Sequence, residues 1–228
     1  MTDPTVAVVV PLRNEIGLLP AARQRWLSLG ADELLVVDGG SVDGSCEYLQ
    51  DSGLRWLASG AGRARQMNAG AAVCNSDIIV FLHVDTVVSS SDILVIREAM
   101  QDASVAGGRF DVRLDGQQML LRIVERFINW RSRLTRISTG DQAIFVRREV
   151  FERLGGFPEL PLMEDIEFSR RLKRQGGIAC LKRTVTTSSR RWEKHGILRT
   201  VVLMWWLRLL YWLGVPAQRL AAMYRETR

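Results

Sequence analysis

Cysteine is scarce. The 228 residues hold three, Cys46, Cys74 and Cys180, an odd number with no CxxC pair. That argues against a disulfide framework or a cysteine zinc site and fits a reducing compartment. Histidine is scarcer still, with only His83 and His195. No positively charged segment precedes the first apolar run, and that run is too short for a secretory signal; the expected location is the cytoplasm. The apolar stretch VVLMWWLRLLYWLGVP is interrupted by Arg208 and is too short to read as a transmembrane helix. No repeat, low-complexity segment or linker marks a boundary, so one domain is expected over residues 1–228. No glycine-rich phosphate loop and no GxGxxG follows the first apolar run, which argues against a nucleotidyltransferase and a dinucleotide oxidoreductase.

What is present is ordinary in amount: 47% apolar and 25% charged residues, as in soluble globular proteins. The net charge of +6 favours anionic partners such as nucleotide phosphates, nucleic acid or an anionic membrane surface. The basic residues are spread along the chain without a recognisable binding motif, so nucleic acid is not expected.

The first hundred residues alternate strand and helix. Residues 6–10 are a β-branched run ending at Pro11, and a helix is expected from Asn14 or Glu15 to near Gly30. Residues 33–37 form a second strand ending at Asp38, and Ser41 is the expected N-cap of the next helix. A short strand at 54–57, a helix from Gly62 and the strand DIIVFLHVDT at 77–86 follow. This is the pattern of a parallel, doubly wound α/β sheet, whose ligands bind beyond the carboxyl ends of the strands. The Pro11–Arg13 loop, Asp38 and Asp85 all fall at such ends. Later, helices are expected at 91–101, 119–134, 148–154, 163–173, 197–213 and 217–224, with a partly exposed strand at 105–114 and further extended segments at 142–146 and 182–189.

The blocks VVVPLRNE, VVDGGSVDGS, GRARQMNAG, FLHVDT, TGDQAIFVRREVFERLGGFPE and MEDIEFSRRLKRQG, in that order, resemble the family 2 glycosyltransferases of the GT-A fold. The SSRRWEKHG block resembles a bacterial subgroup without an assigned acceptor. The resemblance implies a nucleotide-binding half (1–105), an acceptor half (106–190) and a C-terminal helical segment (191–228). It implies inverting transfer of a sugar from a nucleotide-diphosphate donor to an unknown acceptor hydroxyl, with Mn²⁺ or Mg²⁺ as cofactor. A non-catalytic nucleotide-sugar binding protein is the rival from another class.

Residue by residue, the resemblance assigns Pro11, Arg13, Glu15, Asp38, Arg65, Asn68 and Asp85 to the nucleotide side. Asp85 matches the last acid of the family's D-x-D motif and is the expected metal ligand, with His195 as a further one. His83 stands where the first acid of that motif is expected; an imidazole suits Mn²⁺ better than Mg²⁺, and packing or contact with the nucleotide are its other readings. Asp165 of the Glu164-Asp165 pair is the expected general base, and both acids also suit the first turn of a helix. Glu164 and Asp141 are expected around the acceptor, and Arg190 and Arg191 over the diphosphate. The stretch around Trp205, Trp206, Tyr211 and Trp212 is apolar all round. It is expected to pack or dimerise, with peripheral contact at the inner-membrane surface as the alternative.

Overall fold

The computed structural model describes residues 3–226. In chain order its elements are β1 (Val6–Leu12), α1 (Leu19–Leu27), β2 (Glu33–Asp38), α2 (Ser45–Asp51), β3 (Trp56–Ala58), α3 (Arg63–Ala72), β4 (Ile78–Phe81), α4 (Ser90–Ala99) and β5 (Val105–Leu114). They continue with α5 (Met119–Thr135), β6 (Ile144–Arg147), α6 (Arg148–Arg153), α7 (Glu164–Leu172), β7 (Gly177–Thr187), α8 (Arg190–His195), α9 (Ile197–Trp212) and α10 (Ala217–Glu226). The strands form one sheet in the order β3-β2-β1-β4-β6-β5-β7. β3, β2, β1 and β4 run parallel, β6 is antiparallel to both its neighbours, and β7 runs parallel to β5. The expected mostly parallel α/β sheet is therefore what forms.

β1 shows why. Its alternate residues Val6, Val8, Val10 and Leu12 enter one core with Leu19 and Trp26 of α1 and Ile93 of α4. Ala7 and Val9 enter the other with Met67 of α3, Phe151 of α6 and Phe168 of α7. A strand covered on both faces needs an apolar residue at every position, and each buried valine contributes about 1.5–3 kcal/mol.

Several boundaries differ from the sequence expectation. β1 continues through Pro11 to Leu12. β4 pairs only with Val6–Val9, so toward that neighbour no ladder donor is asked of Pro11. The helix expected from Asn14 or Glu15 starts at Leu19, because the Asn14, Glu15 and Ile16 amides bond the 41–45 loop instead. Ser41 does not cap α2; its hydroxyl donates to Asp38, and Gly44, with φ at 92°, precedes the helix. β4 is shorter than expected, so Asp85 lies past it, in a turn where the Thr86 amide donates to the His83 carbonyl at 3.1 Å. β5 is buried along nearly its whole length, because β7 flanks it and helices cover the sheet.

Gly70 of α3 sets the helix-to-sheet distance. A Cβ there would lie 2.4 Å from Val9 Cγ1 and 2.9 Å from Val37 Cγ2. Gly70→Ala is expected to destabilise the fold by about 1–3 kcal/mol, read as a lower melting temperature. Gly17→Ala, with nothing within 4 Å of the new methyl, should stay within about 0.5 kcal/mol of the parent.

Candidate active site

The crevice opens where the sheet reverses its order. From β1 the chain winds outward to β2 and β3, then returns to β4 on the other side. The β1–β4 ladder ends at the Val9–Phe81 pair. Past that pair the segments after β1 and β4 separate, as expected at a topological switch point.

Three acids and an asparagine shape one wall. Asp38, 2% exposed, accepts the Gly40 and Ser41 amides, both at 3.0 Å, and the Ser41 hydroxyl. Asp43 accepts the Ile16 amide at 3.0 Å, the Ser45 amide at 3.0 Å and the Ser45 hydroxyl at 2.6 Å. Asn14 accepts the Val42 amide at 2.9 Å while its own amide donates to Ser41 Oγ at 2.8 Å. The 13–18 and 39–45 loops are thereby one unit, and Glu15 projects from it. Burial pushes the Glu15 carboxyl above its ordinary range; Arg190, 3.8 Å away, opposes the rise, and Asp85 and Asp43 add to it.

Asp85 faces that wall. Burial pushes its carboxyl up; its own backbone N–H, Arg190 and Arg63 pull it back, and Asp141 pushes it further up. The segment after Asp85 is pinned to the end of β7, by the Val87 bridge to Thr186 and by the Thr86 hydroxyl on Thr187 Oγ1 at 3.1 Å. β7 leads directly into α8, which carries Arg190 to the acids.

Across the crevice, the Gly140 amide donates to Asp165 Oδ2 at 2.9 Å, and the Ile166 amide donates to Asp165 Oδ1 at 2.8 Å. Both oxygens of Asp165 are thus oriented by backbone. Its neighbour Glu164 is buried 3.6 Å from Arg63 Nη1; burial raises its carboxyl, Asp165 adds to the rise and Arg63 opposes it. Arg63, His83, Gly140 and Asp165 line a cavity of about 10 Å³. The His83 ring lies so close to Gly140 that a Cβ there would be 2.6 Å from Nε2. Arg131 of α5 is largely buried beside Asp141 and Asp165. Burial pushes its guanidinium down to about 10, Arg208 adds to this, and the two acids oppose it.

The sequence-derived residues divide. Glu15, Asp85, Asp141 and Arg190 form one electrostatic group, Glu164 and Asp165 a second that Arg63 and Arg131 link to it, and His83 lines the same cavity as Asp165. Pro11 is buried inside β1, Arg13 is exposed at the loop's start, and Asp38 is committed to its own turn. Arg65 points away and pairs with exposed Glu159 at 3.0 Å. Asn68 clamps the Phe157 amide and carbonyl, both at 2.8 Å, rather than facing the crevice. His195 sits on the last turn of α8; the Arg191 side chain lies outside the described residues. Sequence reasoning missed Arg63, Asp43 and Arg131. Helical geometry could have found the first: positions 63 and 65 differ by about 200° around a helix axis, so only one can face the crevice.

Among the described residues no three His, Cys, Asp or Glu side chains meet as a ready-made metal cage. The donors that are present still suit a hard divalent cation. Asp141 Oδ1 is buried with no hydrogen-bond partner among the described residues, and its charge already acts on the half-buried Asp85 carboxylate. Carboxylate oxygens from these two acids, with further ligands brought by a phosphate, would match Mg²⁺ or Mn²⁺. Among the described residues His195 does not complete a three-ligand group with these acids.

A carboxyl raised on folding costs the folded state stability once pH exceeds its unfolded value. Asp85→Asn is therefore expected to raise the melting temperature of the ligand-free protein at pH 7, by about 2–4 °C for each kcal/mol recovered. The gain should fade as pH falls toward the free-carboxylate value of about 3.9. A thermal melt series across pH reads this directly; no gain at neutral pH would contradict an incompletely compensated charge at Asp85.

A family model described as glycosyl transferase family 2 matches residues 7–155. Residues 1–349 of S. aureus TarS share 15% identity and a TM-score of 0.64, over 81% of this chain and 60% of that one. The mannosyltransferase PcManGT from Pyrobaculum calidifontis, solved in complex with GDP-Man and Mn²⁺, shares 20% identity and a TM-score of 0.63, over 82% of this chain and 57% of that one. TarS 1–349 in complex with UDP-GlcNAc gives 15% identity and a TM-score of 0.63, over 81% of this chain and 58% of that one. The match thus spans about 60% of the length of these proteins, and at such identities it shows the fold. No curated protein matches the sequence. With a family match over most of its length and the sheet of these neighbours, the chain belongs to glycosyl transferase family 2 and has the GT-A architecture.

Proposed function

We propose that this chain transfers a sugar from a nucleotide-diphosphate donor to an acceptor hydroxyl, with inversion at the anomeric carbon and with a divalent cation bound. The observation that carries the reading is Asp85, just past β4 at the switch point and within the electrostatic influence of Arg63, Arg190 and Asp141. The donor class agrees with the GDP-Man and UDP-GlcNAc named for the two neighbours.

In this reading residues 1–105 hold the donor, 106–190 the acceptor, and 191–228 form the helical cover. The linked 13–18 and 39–45 loops, held by Asp38 and Asp43, receive the nucleoside, with Arg13 at their rim and Glu15 toward the ribose. Arg63 and Arg190 neutralise the diphosphate, and Arg191 follows in the same helix. Asp85 and Asp141 hold Mg²⁺ or Mn²⁺, and His83 forms the wall beside them. The cation supplies charge stabilisation to the departing nucleotide diphosphate.

Asp165 takes the proton of the acceptor hydroxyl. Its two oxygens each accept a backbone N–H, which fixes the carboxylate plane and leaves lone pairs for that proton. The acceptor oxygen bonds the anomeric carbon as the bond to the β-phosphate oxygen breaks, and the electron pair leaves with the nucleotide. One displacement inverts the carbon. Arg131 brings a positive charge to the same side as Asp165. Glu164, held by Arg63, orients the start of α7.

Asp165→Asn is expected to lower transfer by about 10²–10⁴-fold while nucleotide-sugar affinity, read by calorimetry, stays at the parent value. In the same assay Asp85→Asn should lose the Mn²⁺-dependent part of binding. Nucleotide binding that ignores Mn²⁺ and Mg²⁺ in the parent protein would remove the cation from this account.

Two arginines on one helix give a sharper contrast. Arg63→Ala should weaken donor binding by about 10–100-fold, the worth of a charge-assisted contact. Arg65→Ala should leave it unchanged, and equal effects from both would contradict the assigned faces of α3.

A further inference from the structure

α5 carries its apolar stripe on the wrong side for a core helix. Met119, Ile123, Phe127, Trp130 and Leu134, at helical spacing, are all exposed, Met119 by 81% and Trp130 by 62%. The inward face buries Leu121 against Leu114 and Ile197 but is otherwise largely polar. Asn129 accepts the Val112 amide at 2.8 Å and donates to the Val112 carbonyl at 2.9 Å. Arg122 donates to the Leu114 carbonyl at 2.6 Å, and Glu125 accepts the Leu114 amide. These contacts fix the rotation of α5 and leave its apolar face outward.

α9 presents a second stripe, Leu198, Val202, Trp205, Leu209 and Trp212, with Trp212 88% exposed. Its other side packs Leu207 against Met163 and Leu220. The Phe127 and Trp205 rings meet at 6.3 Å, joining the two stripes into one surface. An apolar surface of this extent marks an interaction site.

Charge decides between occupants. α5 has one acid, Glu125, and it is buried; α9 has none. Arg126, Arg136 and Arg199 are exposed around the stripes. A second copy would bring arginine against arginine with no carboxylate from either helix to separate them. An anionic lipid surface complements both features: tryptophans settle at the headgroup level, leucines and phenylalanine enter the acyl boundary, and arginines meet phosphates. No described helix is long and apolar enough to cross a membrane, so the contact lies in the plane of the interface.

We infer that the joined α5–α9 face docks on an anionic phospholipid bilayer. The inference is independent of the transfer reaction and goes beyond it.

The test is flotation of the full chain with phosphatidylcholine vesicles, with and without about one-third phosphatidylglycerol. The parent should float with the anionic vesicles and release at salt high enough to shorten the Debye length to about 3 Å. Trp130→Ser with Trp212→Ser, both highly exposed and so compatible with folding, should weaken binding about tenfold or more. Arg126→Glu with Arg199→Glu should weaken binding to anionic vesicles by a similar factor. Leu94→Ser, an exposed leucine on α4, should bind as the parent does. Absence of flotation, or flotation equal in all variants, overturns the inference. So does a dimer by sedimentation that the tryptophan pair abolishes and that excludes vesicle binding.

Discussion

The ladder between β1 and β4 is short, and the site depends on where it stops. Val9 and Phe81 are its last pair. Had β4 continued beside Leu12, the segments carrying Glu15 and Asp85 would run together as strands, with their side chains fixed above or below the sheet. Because the ladder ends, both segments leave the sheet plane and bring two carboxylates toward each other. The parallel half can afford this end because β1 is already held by β2 through Leu12, and by apolar contacts on both faces.

What gathers in the gap is unfavourable without a ligand. Burial raises the carboxyls of Glu15, Asp85 and Glu164, and other acids add to each. The backbone is strained at the same places. Asn14, Ala143 and Met163 hold positive φ values of 55°, 47° and 69°, and they lie within two residues of Glu15, Asp141 and Glu164. Non-glycine residues in that region cost on the order of 1–3 kcal/mol each and cluster where a fold is preorganised for binding. The apolar strands supply the stability that this edge gives up. A ligand bearing cations, or attracting them, would recover part of it.

The parallel half of the fold was legible in the sequence because its signals are local. A strand buried on both faces must be apolar throughout, and short loops between such strands and helices leave few topologies. The positions of Asp85 just past a strand and of Asp165 in the first turn of a helix were legible for the same reason, since each sits in a block with a characteristic order of residues. The rest was set by rotation and by distant partners. Whether Arg63 or Arg65 faces the crevice depends on the phase of α3, which Gly70 fixes by its approach to Val9 and Val37. Asp38 reads as a ligand-binding acid until the loop amides that it accepts are in place. Arg131 enters the site only because α5 packs across β5, a contact that no neighbouring residue announces.

α5 carries that point further. β5 pairs with β6 only at Gly107 and Gly108, so beyond Phe110 one edge of β5 has no strand beside it. An uncovered edge leaves amides and carbonyls without partners and invites pairing with another chain. The polar face of α5 closes it: Asn129 and Arg122 reach the backbone, and buried Arg109 with Asp111 and Arg133 ties the middle of the strand to the helix. Amphipathicity alone orients a helix with its apolar stripe inward. Here hydrogen bonds to an open strand edge outweigh that preference, because each unsatisfied buried backbone group would cost about 1–3 kcal/mol. The apolar stripe is left outside as a consequence of closing the sheet, and it persists in the folded protein as a surface with its own chemistry.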